Sequence, residues 1–149
     1  MFRRIFIIVF LFYGLLSAFT QEYDWPQWRG PNRDGRYPER NLLTSWPEGG
    51  PDVIWSFDDF GLGYSSAAVT SSTIYIAGTI DSISYLYAFD LDGRQIWKTK
   101  LGPEWIKTFP GMRSTPLIHD GKGYILNGLG ILFCFDAESG DILWSKDML

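Results

Sequence analysis

Few side chains in this sequence could do chemistry, and they are scattered. His119 is the single histidine, and it precedes Asp120-Gly121, a pair suited to a tight hairpin turn. That puts it at an exposed hairpin tip, where a histidine with no partner in the sequence is a weak candidate for acid–base work. Asp58-Asp59 and Glu104 fall in connectors. They read as solvated charges, since a metal site wants several oxygen ligands converging. Cys134 is the only cysteine, so it has no internal disulfide partner. Between Phe133 and Phe135 it reads as a buried small hydrophobe, with a reactive thiol as the alternative. There is no nucleophile elbow, no phosphate loop and no zinc-ligand spacing. The residue types therefore assign no catalytic residue, no cofactor-binding residue and no metal ligand.

One aromatic group stands out near the N-terminus. Trp25, Trp28 and Arg29 lie in the turn-rich run Asp24-Trp25-Pro26-Gln27-Trp28-Arg29-Gly30-Pro31-Asn32-Arg33-Asp34-Gly35. Proline fixes φ and removes a donor, so no regular strand or helix crosses this run. The whole of residues 21–52 reads as an irregular lead-in, with room for a short helical turn from Glu39 to Ser45 before Trp46-Pro47. Two tryptophans suit a segment that packs back onto a sheet. The alternative is a binding surface lined by Trp25, Trp28 and Arg29.

The first twenty residues are a separate unit. Arg3 and Arg4 precede an apolar run from Ile5 to Leu16, and Ser17-Ala18-Phe19-Thr20 forms a small-residue exit, with cleavage expected after Ala18 or Thr20. This is the layout of a secretory signal peptide, which engages the secretion machinery. The run is short of the ~20 residues a membrane span needs; an uncleaved anchor is the alternative. The expected location is periplasmic or extracellular. Loss of residues 1–20 removes two positive charges and no negative ones, taking the net charge from −4 to −6. An acidic chain argues against nucleic-acid binding, which needs basic side chains to replace counterions.

The elements that must position any site are short strands. The chain is 46% hydrophobic with seven Trp, eight Tyr, eleven Phe, 16 Gly and 8 Pro, a profile of strands joined by tight turns. Val53–Phe57 alternates as a first strand. Four strands then follow over residues 64–100: 64–70, a two-residue Ser71-Ser72 turn, 73–77, a loop from Gly78 to Ser82, 84–89 and 94–100. A second set of four spans 113–147, with Asp120-Gly121 as its first turn and Tyr124 in the place of Tyr75. Ala88-Phe89-Asp90-Leu91-Asp92-Gly93-Arg94-Gln95-Ile96-Trp97 and Cys134-Phe135-Asp136-Ala137-Glu138-Ser139-Gly140-Asp141-Ile142-Leu143-Trp144 share one plan: strand end, acidic turn, glycine, then tryptophan four residues on. Trp55 to Trp97 is 42 residues and Trp97 to Trp144 is 47. Four strands per unit at this period is the arithmetic of β-propeller blades; a β-sandwich is the alternative. In each turn the Asp can accept bonds from amides, the Gly can take a left-handed conformation, and the Trp can dock between blades.

These two stretches resemble the repeat of PQQ-type (quinoprotein) β-propellers, Ala-x-Asp-x-x-Thr-Gly-x-x-x-Trp. Cys134, Asp136, Ser139, Gly140 and Trp144 fit it, with Cys134 for the Ala and Ser139 for the Thr. Ala88, Asp90, Gly93 and Trp97 fit with one turn residue fewer, and Trp55 keeps only the Trp. The lead-in from Trp25 to Pro31 is similar to the opening of bacterial proteins that carry this propeller. The resemblance implies an all-β fold: an incomplete β-propeller of PQQ-like repeats, with two four-stranded antiparallel blades plus one extra strand, Val53–Phe57, that would complete a last blade. Two blades cannot close a ring of about four to eight, so a fragment with unpaired strand edges is expected. The resemblance also implies two functions. One is a non-catalytic binding or assembly scaffold, with other envelope proteins as partners. The other is the N-terminal part of a quinoprotein alcohol dehydrogenase, which would hold PQQ with Ca²⁺ through a Glu, an Asn and a catalytic Asp. No position in this sequence matches that catalytic Asp, and the adjacent cysteine pair of many such enzymes is missing.

Overall fold

The computed structural model describes residues 27–30 and 32–149. The signal peptide, Trp25 and the start of the lead-in lie outside the described residues. Among the described residues eight strands make two four-stranded sheets, each antiparallel and in chain order. The first blade holds β1 (Ala68–Val69), β2 (Thr73–Ile80), β3 (Ile83–Asp90) and β4 (Gln95–Pro103). The second holds β5 (Leu117–His119), β6 (Lys122–Leu126), β7 (Ile131–Asp136) and β8 (Ile142–Asp147). The all-β architecture of two unclosed blades matches the expectation.

Turn chemistry sets the registers. Asp120 and Gly121 have φ of 48° and 70°, the pair of left-handed residues that a two-residue type I′ hairpin needs, and they join His119 to Lys122. Ser71-Ser72 also turns as expected, closed by Thr70 N–H to the Thr73 carbonyl at 2.8 Å. The expected loop from Gly78 to Ser82 is different: β2 continues to Ile80, and only Asp81-Ser82 turn, with φ of 49° and 67°. Aspartate tolerates this conformation through its short polar side chain, so a hairpin formed without glycine.

Two further expectations are corrected. No helical turn forms at Glu39 to Ser45; Asn41 has φ of 58° there, which ends helical geometry. Val53–Phe57 is not a strand, because none of its residues joins either ladder. It is held by side chains instead. Phe57 and Phe60 pack on Phe89 with ring centroids 4.9 and 5.9 Å away, and Phe60 meets Tyr87 edge-on at 5.3 Å.

The core lies between the two sheets. Leu86, Ala88 and Leu101 from the first blade join Met112, Ile118, Ile125 and Phe135 in one buried cluster. β3 is thus buried on both faces at its centre, by the aromatic segment on one side and the second blade on the other. A bulge recurs at one place in both sheets: the register shifts between Ala88 and Phe89 and again between Cys134 and Phe135. A bulge re-aims the side chain beside it, and here that side chain is Trp97 in one blade and Trp144 in the other, each paired with the residue before the shift.

Candidate functional site

The seam between the blades is where the motif residues converge. In the first blade Tyr75, Ala88 and Trp97 stand in one cross-strand row, and in the second Tyr124, Cys134 and Trp144 do. The rings of each pair meet over the small central residue, at 5.8 Å for Tyr75–Trp97 and 6.2 Å for Tyr124–Trp144. Cys134, 1% exposed, therefore stands where Ala88 does because only a small side chain fits beneath the rings. This is the buried hydrophobe of the sequence reading.

The Tyr75–Trp97 pair meets the turn of the second blade. Trp97 lies edge-on to Phe135 at 5.9 Å, and a Cβ on Gly140 would stand 2.6 Å from its ring. Tyr75 Oη donates to the Ala137 carbonyl at 3.1 Å, and Thr99 Oγ1 to the Gly140 carbonyl at 2.7 Å. Trp55 repeats the arrangement on the first blade. Its ring is 6.1 Å from Phe89, a Cβ on Gly93 would be 2.6 Å from it, and its Nε1 donates to the Leu91 carbonyl at 2.9 Å. Leu91 and Ala137 hold the same place in the two turns, directly after the Asp. One carbonyl is taken by a Trp and the other by a Tyr. Trp97 Nε1 is consequently a buried donor with no partner.

Each turn is held by its aspartate. Asp90 Oδ1 accepts from the Arg94 and Asp92 amides at 2.8 and 3.1 Å, and Oδ2 from Arg94 Nε at 2.7 Å. Asp136 Oδ1 accepts from the Ser139 and Glu138 amides at 2.9 and 3.0 Å. Bonds to the ionised form favour it. The Arg94 amide lowers the Asp90 pKa from 3.8, and the Ser139 amide does the same at Asp136.

Glu104 corrects the sequence reading. It is 4% exposed rather than solvated, and it locks the rim of the seam. Oε1 accepts from the Trp105 amide at 2.8 Å and from the Gly128 amide of the second blade at 2.6 Å; Oε2 accepts from Ser84 Oγ at 2.5 Å. Asn127, also buried, donates to the Pro103 carbonyl at 3.1 Å, while its Oδ1 accepts from the Ile131 and Leu129 amides at 2.8 and 3.1 Å. Thr79 Oγ1 accepts from the Met112 amide at 3.0 Å. Nothing in the local sequence marks Glu104 as buried, because two of its three donors come from β3 and from the second blade.

This donor set does not fit Ca²⁺ with PQQ. A cation needs oxygen lone pairs aimed at it, and the oxygens of Glu104 and Asn127 face N–H and O–H donors instead. Among the described residues no three His, Cys, Asp or Glu side chains gather into a metal-holding group. His119 is on its hairpin tip with its side chain 74% exposed, 3.4 Å from the Asp120 carboxylate. Asp58 and Asp59 are exposed.

The lead-in forms one cleft of about 450 Å³, lined by Trp28, Tyr37, Leu42, Ser66 and Ala67 among others. Tyr37 Oη donates to the Trp28 carbonyl, and the Arg29 guanidinium lies 5.8 Å from the Trp28 ring. Trp28 thus shares this cleft with Ser66 and Ala67, just before β1, and remains 60% exposed.

No protein-family model and no curated protein matches the sequence. Solved structures do. A europium-containing methanol dehydrogenase superposes with a TM-score of 0.55 at 18% identity, over 66% of this chain and 18% of that one. A quinohemoprotein alcohol dehydrogenase from Pseudomonas putida HK5 gives 0.42 at 24%, over 53% and 12%. BamB from Moraxella catarrhalis gives 0.42 at 23%, over 60% and 23%. The chain thus spans less than a fifth of the methanol dehydrogenase, whose superposition covers two thirds of its own length. With the repeated Trp-on-Gly seam, that superposition gives the fold: this chain folds as two unclosed β-propeller blades.

Proposed function

We propose that the chain belongs to an exported β-propeller that works as a binding or assembly scaffold. One observation carries this reading: the repeat's distinctive side chains are used in joining blade to blade. Trp97 and Tyr75 engage the next turn, Asp90 and Asp136 brace the turns, and Glu104 and Asn127 tie the rim. Side chains so engaged hold a surface in shape rather than attack a substrate. Export rests on the Arg3-Arg4 pair and the Ile5–Leu16 run. The test is to incubate the full gene product with PQQ and Ca²⁺, remove free cofactor by gel filtration, and record quinone absorbance and dye-linked alcohol oxidation. A scaffold retains no quinone and oxidises no alcohol. Stoichiometric retention with turnover would establish the dehydrogenase reading instead. N-terminal sequencing of the periplasmic product should begin at Phe19 or Gln21.

A further inference from the structure

We propose that Asn127-Gly128 is a covalent modification site held shut by Glu104: when the rim opens, the pair closes to a succinimide, and the aspartate or isoaspartate that follows keeps the rim open. The chemistry belongs to the residue pair. A backbone nitrogen can attack the carboxamide of the asparagine before it, and glycine, with no Cβ, leaves that nitrogen least hindered. The bond from Gly128 N to Asn127 Cγ forms, the Cγ–Nδ2 bond breaks, and ammonia leaves with the proton of the Gly128 amide. Water then adds to the imide ring. Opening at one carbonyl gives aspartate at position 127. Opening at the other gives isoaspartate, in which the main chain runs through the side chain.

The structure accounts both for the glycine and for the restraint on the pair. A Cβ on Gly128 would run into Glu104 Oε1, so the clasp between the blades requires glycine at this place. The same clasp holds back each participant. Gly128 N–H, the nucleophile, is donated to Glu104 Oε1 at 2.6 Å, and an amide that loses its proton beside a carboxylate meets like charge. The carboxamide of Asn127 is pinned at both ends. Its Oδ1 accepts from the Leu129 and Ile131 amides at 3.1 and 2.8 Å, and its Nδ2 donates to the Pro103 carbonyl at 3.1 Å. Asn127 is 4% exposed, which keeps out the water that opens the ring. Glu104 and Pro103 both belong to the first blade's end of the rim, so parting the blades there frees the nitrogen and the carboxamide together.

The change runs one way. Aspartate at position 127 has no N–H for the Pro103 carbonyl, so two acceptors would face each other. It also brings a second carboxylate to a rim that already buries Glu104. The ion pairs among the described residues are Arg94–Asp90 and His119–Asp120, and neither lies in the rim. Isoaspartate lengthens the main chain before Gly128 and takes the Leu129 and Ile131 amides out of register. The pair thus converts a passing opening of the seam into a lasting one. This holds whether the propeller is a scaffold or an enzyme.

Peptide mass spectrometry of the full gene product, incubated at neutral pH and then digested, reads conversion at Asn127. A synthetic peptide of residues 122–133 is the unguarded reference. Conversion in the native protein should be roughly tenfold or more slower than in the peptide, since only the opened fraction reacts. In urea below the unfolding transition it should rise in step with hydrogen exchange at the Gly128 amide, a comparison that needs no variant to fold. Glu104→Ala should bring the rate toward that of the peptide. Converted protein, separated by anion exchange and returned to native conditions, should keep fast exchange at Gly128, Leu129 and Ile131 while the β2–β3 amides stay protected. Conversion in the native protein as fast as in the peptide overturns the proposal. So does conversion that waits for global unfolding, a folded Glu104→Ala variant that converts no faster than the wild type, or a converted chain whose rim amides are protected as before.

Discussion

Trp97 and Gly140 are in contact across the blade seam, 43 positions apart in the chain, and a Cβ on Gly140 would stand 2.6 Å from the indole. Gly140 also has φ of 78°, so a side chain there meets both backbone strain and the ring. Gly121 has φ of 70° but open space around it. Gly121→Ala should therefore cost about 1–2 kcal/mol, the left-handed penalty alone. Gly140→Ala should cost roughly 2–5 kcal/mol, since overpacking is added. Urea denaturation of the two variants measures the difference, and equal costs would mean that the seam yields without resistance.

The contest for one turn carbonyl gives a second prediction. Trp97 Nε1 has no partner, whereas Trp55 Nε1 is bonded to the Leu91 carbonyl. Replacement by phenylalanine removes similar ring area at both positions. At Trp97 it also removes a buried unsatisfied donor, which by itself costs about 1–3 kcal/mol. At Trp55 it breaks a bond worth about 0.5–1.5 kcal/mol. Trp97→Phe should be the better tolerated in thermal denaturation, although Trp97 belongs to the larger packed cluster. The reverse order would mean that Nε1 finds a bond in solution.

What was legible in the sequence follows from what is local. The turn from Asp136 to Gly140 and its echo at Asp90 to Gly93 could be read because one residue's side chain braces amides two to four positions away. Tyr124 could be aligned with Tyr75, and Cys134 with Ala88, because the strand period fixes which residues share a row. The Asp81-Ser82 turn was hidden because it takes two left-handed residues without the glycine that usually marks them. Val53–Phe57 alternates like a strand, yet alternation says nothing of a ladder partner. The burial of Glu104 is illegible for the most physical reason: two of its three donors are Ser84, 20 positions back, and Gly128, 24 positions on.

Glu104 supplies the third prediction. Glu104→Ala would leave Ser84 Oγ and two amide N–H groups without their acceptor at a site only 4% exposed. Each such group costs about 1–3 kcal/mol, so a loss of at least roughly 3 kcal/mol is expected. Glu104→Gln keeps an oxygen for both amides, and its NH₂ can donate to Ser84 Oγ once that hydroxyl turns. It also removes a carboxylate that, among the described residues, has no salt-bridge partner, so it should stay within about 1 kcal/mol of the wild type. A Gln variant as unstable as the Ala variant, by denaturant midpoint, would show that the rim depends on the charge itself.

Acid should loosen the seam through the turns. Asp90 and Asp136 both have folded pKa values below 3.8, held down first by the Arg94 and Ser139 amides. A depressed folded value means that the unfolded chain takes up protons first as pH falls. The stabilisation is therefore complete above the unfolded value near 3.8 and drains away as pH falls through the folded values. Asp136→Asn keeps an oxygen for the Glu138 and Ser139 amides but cannot titrate. Its denaturation midpoint should fall less steeply below pH 3.8 than that of the wild type, while the two run parallel at neutral pH. Because Trp97 rests on the Gly140 turn that Asp136 braces, its fluorescence should report the same acid transition, shifted in the variant. Identical acid profiles for the two proteins would show that the brace at Asp136 contributes nothing to the fold.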